Sequence, residues 1–256
     1  MQKEPLVSVN ISKSQTLLFY EDFLVYKGNR INYNEIQGIS YLWTKTTTSV
    51  YFVPVNTSSK YSIEIETHGR VYDIDFSSGF LNFGQGEKER EELFAKIVHI
   101  LDVVIKPFVI TNLLLKYVQN GELFISDSLT INPTGLYKKR LWRSPDFLAW
   151  RDYYNSTLFQ GNVHIYKDDA RKKYAPYFAC SMSVMNAVVM PDLLNFLFQN
   201  NGTISQSTIK ELKNRKNTFE NTPKKEVVSE GGFCPSCSAP KEELNQKFCT
   251  HCGGKL

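Results

Sequence analysis

The sequence lacks the short motifs by which most catalytic sites are recognised. It contains no glycine-rich phosphate loop, no Gly-x-Ser-x-Gly and no His-Glu-x-x-His. One carboxylate pair, Asp168-Asp169, stands between Lys167 and a basic run. A hairpin turn is a more favoured interpretation of that pair than an acid–base couple. We therefore expect a protein without enzymatic activity and without a small-molecule substrate.

The sequence also lacks a long apolar run. Residues 1–13 have no apolar core, so no secretory signal is predicted. The most apolar stretch, Ile97–Val118, includes the costly residues His99, Asp102 and Lys106. Its apolar positions recur at spacings of three and four, which favours helices of a folded domain over a membrane span. The expected location is the cytoplasm, with the membrane periphery as the one further option.

The composition is that of an ordinary globular protein with many aromatic residues. Hydrophobic residues make up 42% and charged residues 22% of the chain, and 17 Phe and 14 Tyr favour strands. The 256 residues have room for two small domains and a short module. The formal net charge is +4. Four zinc-bound thiolates would lower it by about 2, so the overall charge does not demand an acidic partner.

Two Cys-x-x-Cys pairs lie near the end of the sequence. Cys234 and Cys237 form the first pair, and Cys249 and Cys252 form the second. Each tight turn places two sulfurs on one side, so the four thiolates can surround one Zn²⁺. Four sulfur ligands leave no open position for water or substrate, which predicts one structural zinc ion. Four unrelated surface cysteines, or disulfides, are the weaker alternatives.

Residues 233–256 resemble the short zinc ribbons found at the ends of many bacterial proteins. The resemblance rests on Phe233-Cys-Pro-Ser-Cys237 and Phe248-Cys-Thr-His-Cys252-Gly253. It implies a module that folds when it binds metal, because so few residues cannot build an apolar core. The remaining cysteine, Cys180, stands among apolar residues and is expected to be a buried, inert thiol.

The first part of the chain predicts strands followed by helices. Residues 7–76 read as short antiparallel strands, with a hairpin turn at Lys27-Gly28-Asn29-Arg30 and clean alternation in residues 61–66. An amphipathic helix begins in the acidic stretch Glu87–Glu92. Pro107 separates it from a second helical stretch that ends at Asn120-Gly121. His68, at a turn tip, is expected to be exposed, and His99 to be solvated or capped.

The pattern then restarts. Ile11-Ser-x-Ser-x-Thr16 returns as Ile125-Ser-x-Ser-x-Thr130, an offset of 114 residues. At the same offset Tyr33-Asn-Glu-Ile36 faces Phe147-Leu-Ala-Trp150. Strands between residues 129 and 189 are again followed by a helix, Asp192–Gln199. We interpret this order as a duplication, although matches this short also arise by coincidence.

A strand meander that ends in one amphipathic helix resembles the pleckstrin-homology-like (PH-like) domains of bacteria, here in tandem. Tyr33-Asn-Glu-Ile36 is similar to the aromatic-x-Glu-Ile strand of those domains, and the second copy has Ala149 in place of the acidic residue. The resemblance implies an α+β fold of two small antiparallel β-barrel-like domains, each closed by a C-terminal helix, which bind rather than catalyse. The predicted boundaries are 1–106 and 107–200 for the PH-like domains, 201–232 for a flexible polar linker and 233–256 for the zinc ribbon.

Two basic clusters lie in the second predicted domain. The first comprises Lys138, Lys139, Arg140 and Arg143, and the second comprises Arg171, Lys172 and Lys173. In PH domains that bind phosphoinositides, basic residues in and around the first hairpin hold the headgroup. The resemblance implies that the two clusters hold a phosphate or an anionic membrane surface if they meet in space. A solvated surface is the favoured alternative. Trp142 and Trp150 are expected in the core.

Three functions remain in view. The sequence favours a non-catalytic adaptor or scaffold that binds protein partners through PH-like domains and a tethered zinc ribbon. The alternative is a peripheral protein that binds anionic lipid through the basic clusters. A nucleic-acid-associated protein is a second alternative, but it is not indicated. Residues 201–232 carry only six Lys and Arg against four Glu, a small excess for a nucleic-acid reader.

The zinc prediction is directly testable by metal analysis of the purified protein. We expect one zinc ion per chain, and we expect Cys234→Ser or Cys252→Ser to lose it because three thiolates hold the ion far more weakly than four. Elemental mass spectrometry measures the metal-to-protein ratio. The control is Cys180→Ser, which should keep full zinc. Wild-type protein that carries no zinc when purified without chelators would exclude the ribbon.

Overall fold

The protein has a mixed α+β fold in which antiparallel strands alternate with a few helices. The computed structural model describes residues 4–12, 15–50, 53–75, 87–126, 128–140, 142–168 and 176–221. The predicted α+β class is therefore confirmed. Two compact units are distinguished, one made of Met1–Ile36 with Asn217–Leu256 and the other of Gln37–Lys216.

The described part of the first unit is dominated by one four-stranded sheet. Its strands follow chain order: β1 (Val7–Ser12), β2 (Gln15–Phe19), β3 (Phe23–Tyr26) and β4 (Asn29–Asn32). Lys27 and Gly28 connect β3 to β4 with positive φ angles of 48° and 74°, which confirms the predicted hairpin turn. Tyr20 and Phe23 stack with ring centroids 4.4 Å apart in the buried core. A 3-10 turn, Tyr33–Glu35, follows β4.

The second unit begins with a three-stranded sheet and two helices. The sheet contains β5 (Ile36–Val50), β6 (Val53–Thr67) and β7 (Arg70–Asp75), and the helices are α1 (Glu87–Val104) and α2 (Lys106–Asn120). Ile63 and Ile65 are buried, as the alternation predicts, and His68 lies exposed at the turn. Gly121 ends α2 in the left-handed conformation. No helix in the described residues is both long and apolar enough to cross a membrane.

The second unit continues with two further sheets and a helix. The four-stranded sheet contains β8 (Leu123–Ser126), β9 (Leu129–Asn132), β10 (Gly135–Arg140) and β11 (Arg143–Ala149). A 3-10 turn, Trp150–Asp152, leads into the sheet of β12 (Tyr153–Phe159), β13 (Asn162–Lys167) and β14 (Phe178–Ser181). A second 3-10 turn, Ala187–Val189, precedes α3 (Met190–Gln199). Four strands, a 3-10 turn, three strands and a helix thus occur twice along the chain.

The two occurrences share hydrogen bonds as well as element order. The Tyr33 hydroxyl donates to the Tyr20 carbonyl at 2.8 Å, and the Trp150 indole donates to the Asn132 carbonyl at 3.0 Å. Both carbonyls precede the turn between the second and third strands. The backbone N–H of each aromatic residue also donates to the last residue of that turn, Asp22 or Thr134. Equivalent positions therefore make equivalent contacts.

This equivalence confirms one of the two sequence alignments and corrects the other. Ser12 pairs with Gln15 as Ser126 pairs with Leu129, so the offset of 114 residues holds for the first strands. However, Tyr33 corresponds to Trp150, not to Phe147. The hairpin between β10 and β11 is five residues longer than its counterpart, and the stretch from Leu129 to Asn132 is two residues shorter than that from Gln15 to Tyr20. The acidic residue at Glu35 is consequently retained as Asp152, and its predicted loss at Ala149 was an artefact of the wrong offset.

A segment near the start of α3 pairs with the edge of β5. The Tyr41 N–H donates to the Met182 carbonyl at 3.1 Å, and the Asn186 N–H donates to the Ile39 carbonyl at 2.8 Å. The Ile39 N–H in turn donates to Asn186 Oδ1 at 3.1 Å. Gly38 leaves the space that the Met185 side chain occupies. Residues 182–186 thus cover part of an edge that would otherwise present unpaired backbone groups.

The chain after α3 departs from the predicted flexible linker of residues 201–232. Residues Gln206–Asn221 form helix α4, and the Ser205 hydroxyl caps it by accepting the Thr208 N–H at 3.2 Å. Two apolar side chains of this helix, Ile209 and Leu212, are buried. Burial of these two side chains stabilises a helix whose other faces are polar, so average polarity was a poor guide. Residues 222–232 lie outside the described part of the chain.

Gly202 offers a stability test with a built-in control. A Cβ at Gly202 would overlap the Trp150 ring and the Pro133 carbonyl, whereas a Cβ at Gly69 would meet nothing within 4 Å. Both glycines have positive φ, 72° and 80°. We expect Gly69→Ala to lower the free energy of unfolding by about 1–2 kcal/mol through backbone strain alone. Gly202→Ala should cost roughly 3 kcal/mol or more because overpacking adds to that strain.

Urea denaturation followed by far-UV circular dichroism measures both values. Equal losses for the two variants would contradict the close packing of Gly202 on Trp150.

Candidate functional site

The first basic cluster lies on one hairpin, β10 with β11, which we call the basic hairpin. The two strands pair with Leu136 opposite Leu148 and Tyr137 opposite Phe147. The leucines are buried, and the aromatic rings lie 4.5 Å apart on the other face. Lys138 still pairs with Leu129 of β9, and the Lys139 N–H donates to the Ser128 carbonyl at 2.7 Å, so the hairpin has only itself to pair with beyond Lys139.

The basic hairpin is an extended version of the hairpin formed by β3 and β4. Tyr26 pairs with Asn29 across the two-residue turn Lys27–Gly28, and the equivalent pair is Lys138 with Asp146. Residues 139–145 therefore stand where the other hairpin has only two residues; we call them the tip extension. Pro145 is compatible with its position because β11 is an edge strand that needs no donor there. Three of the four cations of the first cluster belong to the tip extension.

Trp142 lies at the end of the tip extension and is 97% exposed, which corrects its predicted core position. Its φ angle of 67° is left-handed, a conformation that a bulky residue adopts only in a tight turn. Trp150 is buried, as expected. The sequence signal that distinguishes the two was the surrounding charge. Trp142 stands between Arg140 and Arg143, where an apolar core position is unfavourable.

The cations of the basic hairpin differ in their surroundings. Arg140 forms an ion pair with Asp146 through Nε and Nη2. The Lys138 ammonium lies 5.9 Å from the ring centroid of Phe178, and Lys139 is exposed. Arg140 and Arg143 are cross-strand neighbours in the backbone register. The hairpin therefore carries four cations against one carboxylate on a narrow ribbon.

Cys180 lies on β14 beside this hairpin. It is half-buried rather than buried, and its thiol contacts the Ser181 carbonyl at 3.8 Å. Burial raises the pKa of the Cys180 thiol, and the positive charge of Lys138 opposes that rise. The raised pKa lowers the thiolate fraction at neutral pH, which is the direction expected for an unreactive thiol.

Several predicted site residues cannot be placed. Arg171, Lys172 and Lys173 lie outside the described residues, as do Asp169 and the four zinc-ligand candidates Cys234, Cys237, Cys249 and Cys252. Whether the two basic clusters meet therefore stays a prediction. Asp168 is exposed, and its N–H donates to the Asp152 carbonyl at 2.7 Å. Within the described residues, no three His, Cys, Asp or Glu side chains gather as a metal site.

The outer face of the β8–β11 sheet carries a row of aromatic residues that the sequence reasoning did not single out. Phe124 and Tyr137 both pair with Thr130, and Tyr137 pairs with Phe147 on its other side. Phe124 is 67% and Phe147 40% exposed. The Tyr177 hydroxyl donates to the Phe147 carbonyl at 3.3 Å. Phe124 stands between the buried Leu123 and Ile125, and Tyr137 follows the buried Leu136, so the two-residue period of a strand places both rings opposite the buried face.

Comparisons with known proteins do not assign a family to this chain. A scan against protein-family models found no matching family, and a search of curated proteins found no match.

The proximity of Lys138 to Cys180 predicts a measurable change in thiol reactivity. Replacement by Lys138→Met removes the positive charge that lowers the Cys180 pKa, so the pKa should rise further and the thiolate fraction at mildly alkaline pH should fall. We expect slower alkylation of Cys180 by iodoacetamide and a pH–rate profile displaced to higher pH. Peptide mass spectrometry isolates this cysteine from the others.

Lys167→Met is the matched control for this experiment, since Lys167 lies over Tyr177 and near Asp152. It should leave the rate at Cys180 unchanged. Identical profiles for the Lys138 variant and the wild type would place the lysine away from the thiol.

Proposed function

We propose that the chain is a non-catalytic adaptor built from two PH-like domains and a tethered zinc ribbon. The observation that carries the proposal is the element order that occurs twice, with the Tyr33 and Trp150 hydrogen bonds at equivalent positions. A meander of antiparallel strands followed by one amphipathic helix is what the resemblance to PH-like domains implies. The order of elements supports the domain assignment, and the boundaries at residues 106 and 200 stay predictions.

The helices of both copies have the apolar faces that such a role requires. Ile97 and Leu101 of α1 are buried, as are Leu193, Leu194 and Leu197 of α3. A helix with this pattern closes a sheet by burying its stripe. The resulting domain offers surfaces and strand edges for binding.

Pairing along β5 supports a rigid arrangement within the second unit. The Asn186 side chain and backbone together hold Ile39 through two hydrogen bonds, and the Lys106 ammonium contacts Asp192 at 2.6 Å. The Tyr41 hydroxyl also donates to Asp102 at 2.9 Å. Fixed spacing between binding surfaces is what distinguishes a scaffold from a flexible tether.

The zinc ribbon is the proposed recruiting element. Cys234, Cys237, Cys249 and Cys252 would hold one Zn²⁺, which supplies folding energy and no open coordination position. Thiolate ligands require a reducing compartment, so the proposal includes a cytoplasmic location. The expected partner is a protein; neither a nucleic acid nor a small-molecule substrate is indicated.

An affinity capture experiment tests the adaptor proposal. Tagged wild-type protein is compared with a Cys234→Ser, Cys252→Ser double variant in nuclease-treated lysate of the source organism. We expect at least one stoichiometric protein partner that binds the wild type and is lost from the double variant, because the unfolded ribbon presents no defined surface. Quantitative mass spectrometry identifies it.

Cys180→Ser serves as the control and should retain the partner. The same set of proteins on all three baits would exclude recruitment by the ribbon. Substrate turnover that depends on Asp168 or Asp169 would disprove the non-catalytic part of the proposal.

A further inference from the structure

We propose that the basic hairpin is a membrane anchor whose tip, Trp142, enters the interface of an anionic lipid bilayer. The inference goes beyond the adaptor function, because it assigns a second surface and a place of action to the protein. It depends on the hairpin alone and does not involve the zinc ribbon.

The tip extension is an addition to a type of hairpin that closes without it in the first copy. The equivalent hairpin of the first copy turns through Lys27 and Gly28, residues suited to positive φ. The second copy instead has seven residues and places Trp142 in the left-handed conformation. A bulky residue in that conformation is strained, and its exposure gains nothing for folding. These costs indicate that the side chain serves an interaction outside the fold.

The order of side chains along the hairpin matches the order of environments in a bilayer interface. Arg140 and Lys139 lie two and three residues before Trp142, which corresponds to roughly 7–10 Å along a strand. Tryptophan prefers the depth of the lipid headgroups and the adjacent acyl boundary, and cations prefer the charged surface above it. The hairpin presents these groups in the same order, with the aromatic residue foremost.

The positive charge of the basic hairpin is complementary to the negative charge of an anionic lipid surface. Residues 138–146 contain four cations and the single carboxylate of Asp146, a net charge of +3. Asp146 neutralises Arg140, so residues 138–146 contain no counter-charge for the remaining three cations. An anionic lipid surface supplies such charge, and each cation near it changes affinity about fivefold.

The geometry favours a bilayer over a nucleic acid. Single-stranded nucleic acids are bound along grooves in which several aromatic side chains stack successive bases. The described part of the tip extension has one aromatic residue, and it stands at the apex rather than along a groove. Arg140 is already engaged by Asp146 and Lys138 lies over Phe178, so the attraction is to surface charge rather than to one headgroup.

The test uses the full-length protein and vesicles of phosphatidylcholine with or without phosphatidylserine. We expect co-sedimentation only with phosphatidylserine, and we expect it to weaken as salt is raised. Trp142→Asn, which keeps a residue tolerant of positive φ, should weaken binding at least about tenfold through loss of the apolar side chain. Lys139→Glu with Arg143→Glu should weaken it by a similar factor or more.

Matched variants separate a local effect from a general one. Lys96→Glu with Lys116→Glu changes the net charge equally at exposed helical positions and should have a much smaller effect. Brominated lipids should quench the fluorescence of wild-type protein and of Trp43→Phe, whereas Trp142→Asn should lose the quenching. Circular dichroism verifies that each variant is folded.

Three results would overturn the inference. They are vesicle binding that ignores phosphatidylserine and salt, equal binding by wild type and Trp142→Asn, and binding to single-stranded oligonucleotides without binding to vesicles. The Cys234→Ser, Cys252→Ser variant should still bind vesicles like the wild type. A failure of the adaptor proposal is therefore distinguishable from a failure of this one.

Discussion

A single buried hydrogen bond at the junction of strands and 3-10 turn constrains each copy of the repeated element order. Burial raises the pKa of Tyr33 far above its usual value, with the nearby Asp22 charge acting in the same direction, so the hydroxyl remains a proton donor. Trp150 achieves the same result with an indole N–H that does not ionise at physiological pH. A large aromatic body needs burial, and its one polar atom needs a partner. The backbone carbonyl of Tyr20 or Asn132 supplies that partner while the ring stays buried. The hydrogen bond therefore ties the position of the turn to that of the aromatic residue.

Local patterns were sufficient to predict the elements that depend on neighbouring residues. The turn at Lys27-Gly28 follows from the conformational preference of glycine, and the alternation of residues 61–66 follows from the pleat of a strand. In each case the deciding contact lies within a few residues in the sequence.

Long-range correspondence was harder to predict. The offset at Tyr33 was misjudged because Phe147 is also aromatic, and a short motif does not reveal a five-residue difference in hairpin length upstream. Trp142 was assigned to the core on residue type alone, although the charges on both sides of it argued otherwise. The zinc-ligand spacing is the strongest signal in the sequence. Its four cysteines lie outside the described residues, so the ribbon stays a prediction from chemistry.

Residues 182–186 form hydrogen bonds with the edge of β5, a strand that lies much earlier in the sequence. Asn186 occupies a left-handed conformation, donates its backbone N–H to the Ile39 carbonyl and accepts the Ile39 N–H with its side-chain oxygen. Gly38 accommodates Met185. The edge of β5 is therefore satisfied by residues almost 150 positions away. Such pairing has a loop-closure cost, because the chain between the two partners must be ordered before the contact forms.

The hairpin tip has an evolutionary consequence. Lys138 pairs with Asp146 as Tyr26 pairs with Asn29. The pairing of the strands up to these residues is therefore the same whatever the length of the tip that follows. Insertions there cost little, because they lengthen a ribbon in solvent without shifting the side chains that face the core. A chain that contains the same element order twice can thus keep a short turn in one copy and carry a longer, different tip in the other. Sequence changes are best tolerated where they leave the core-facing side chains in place.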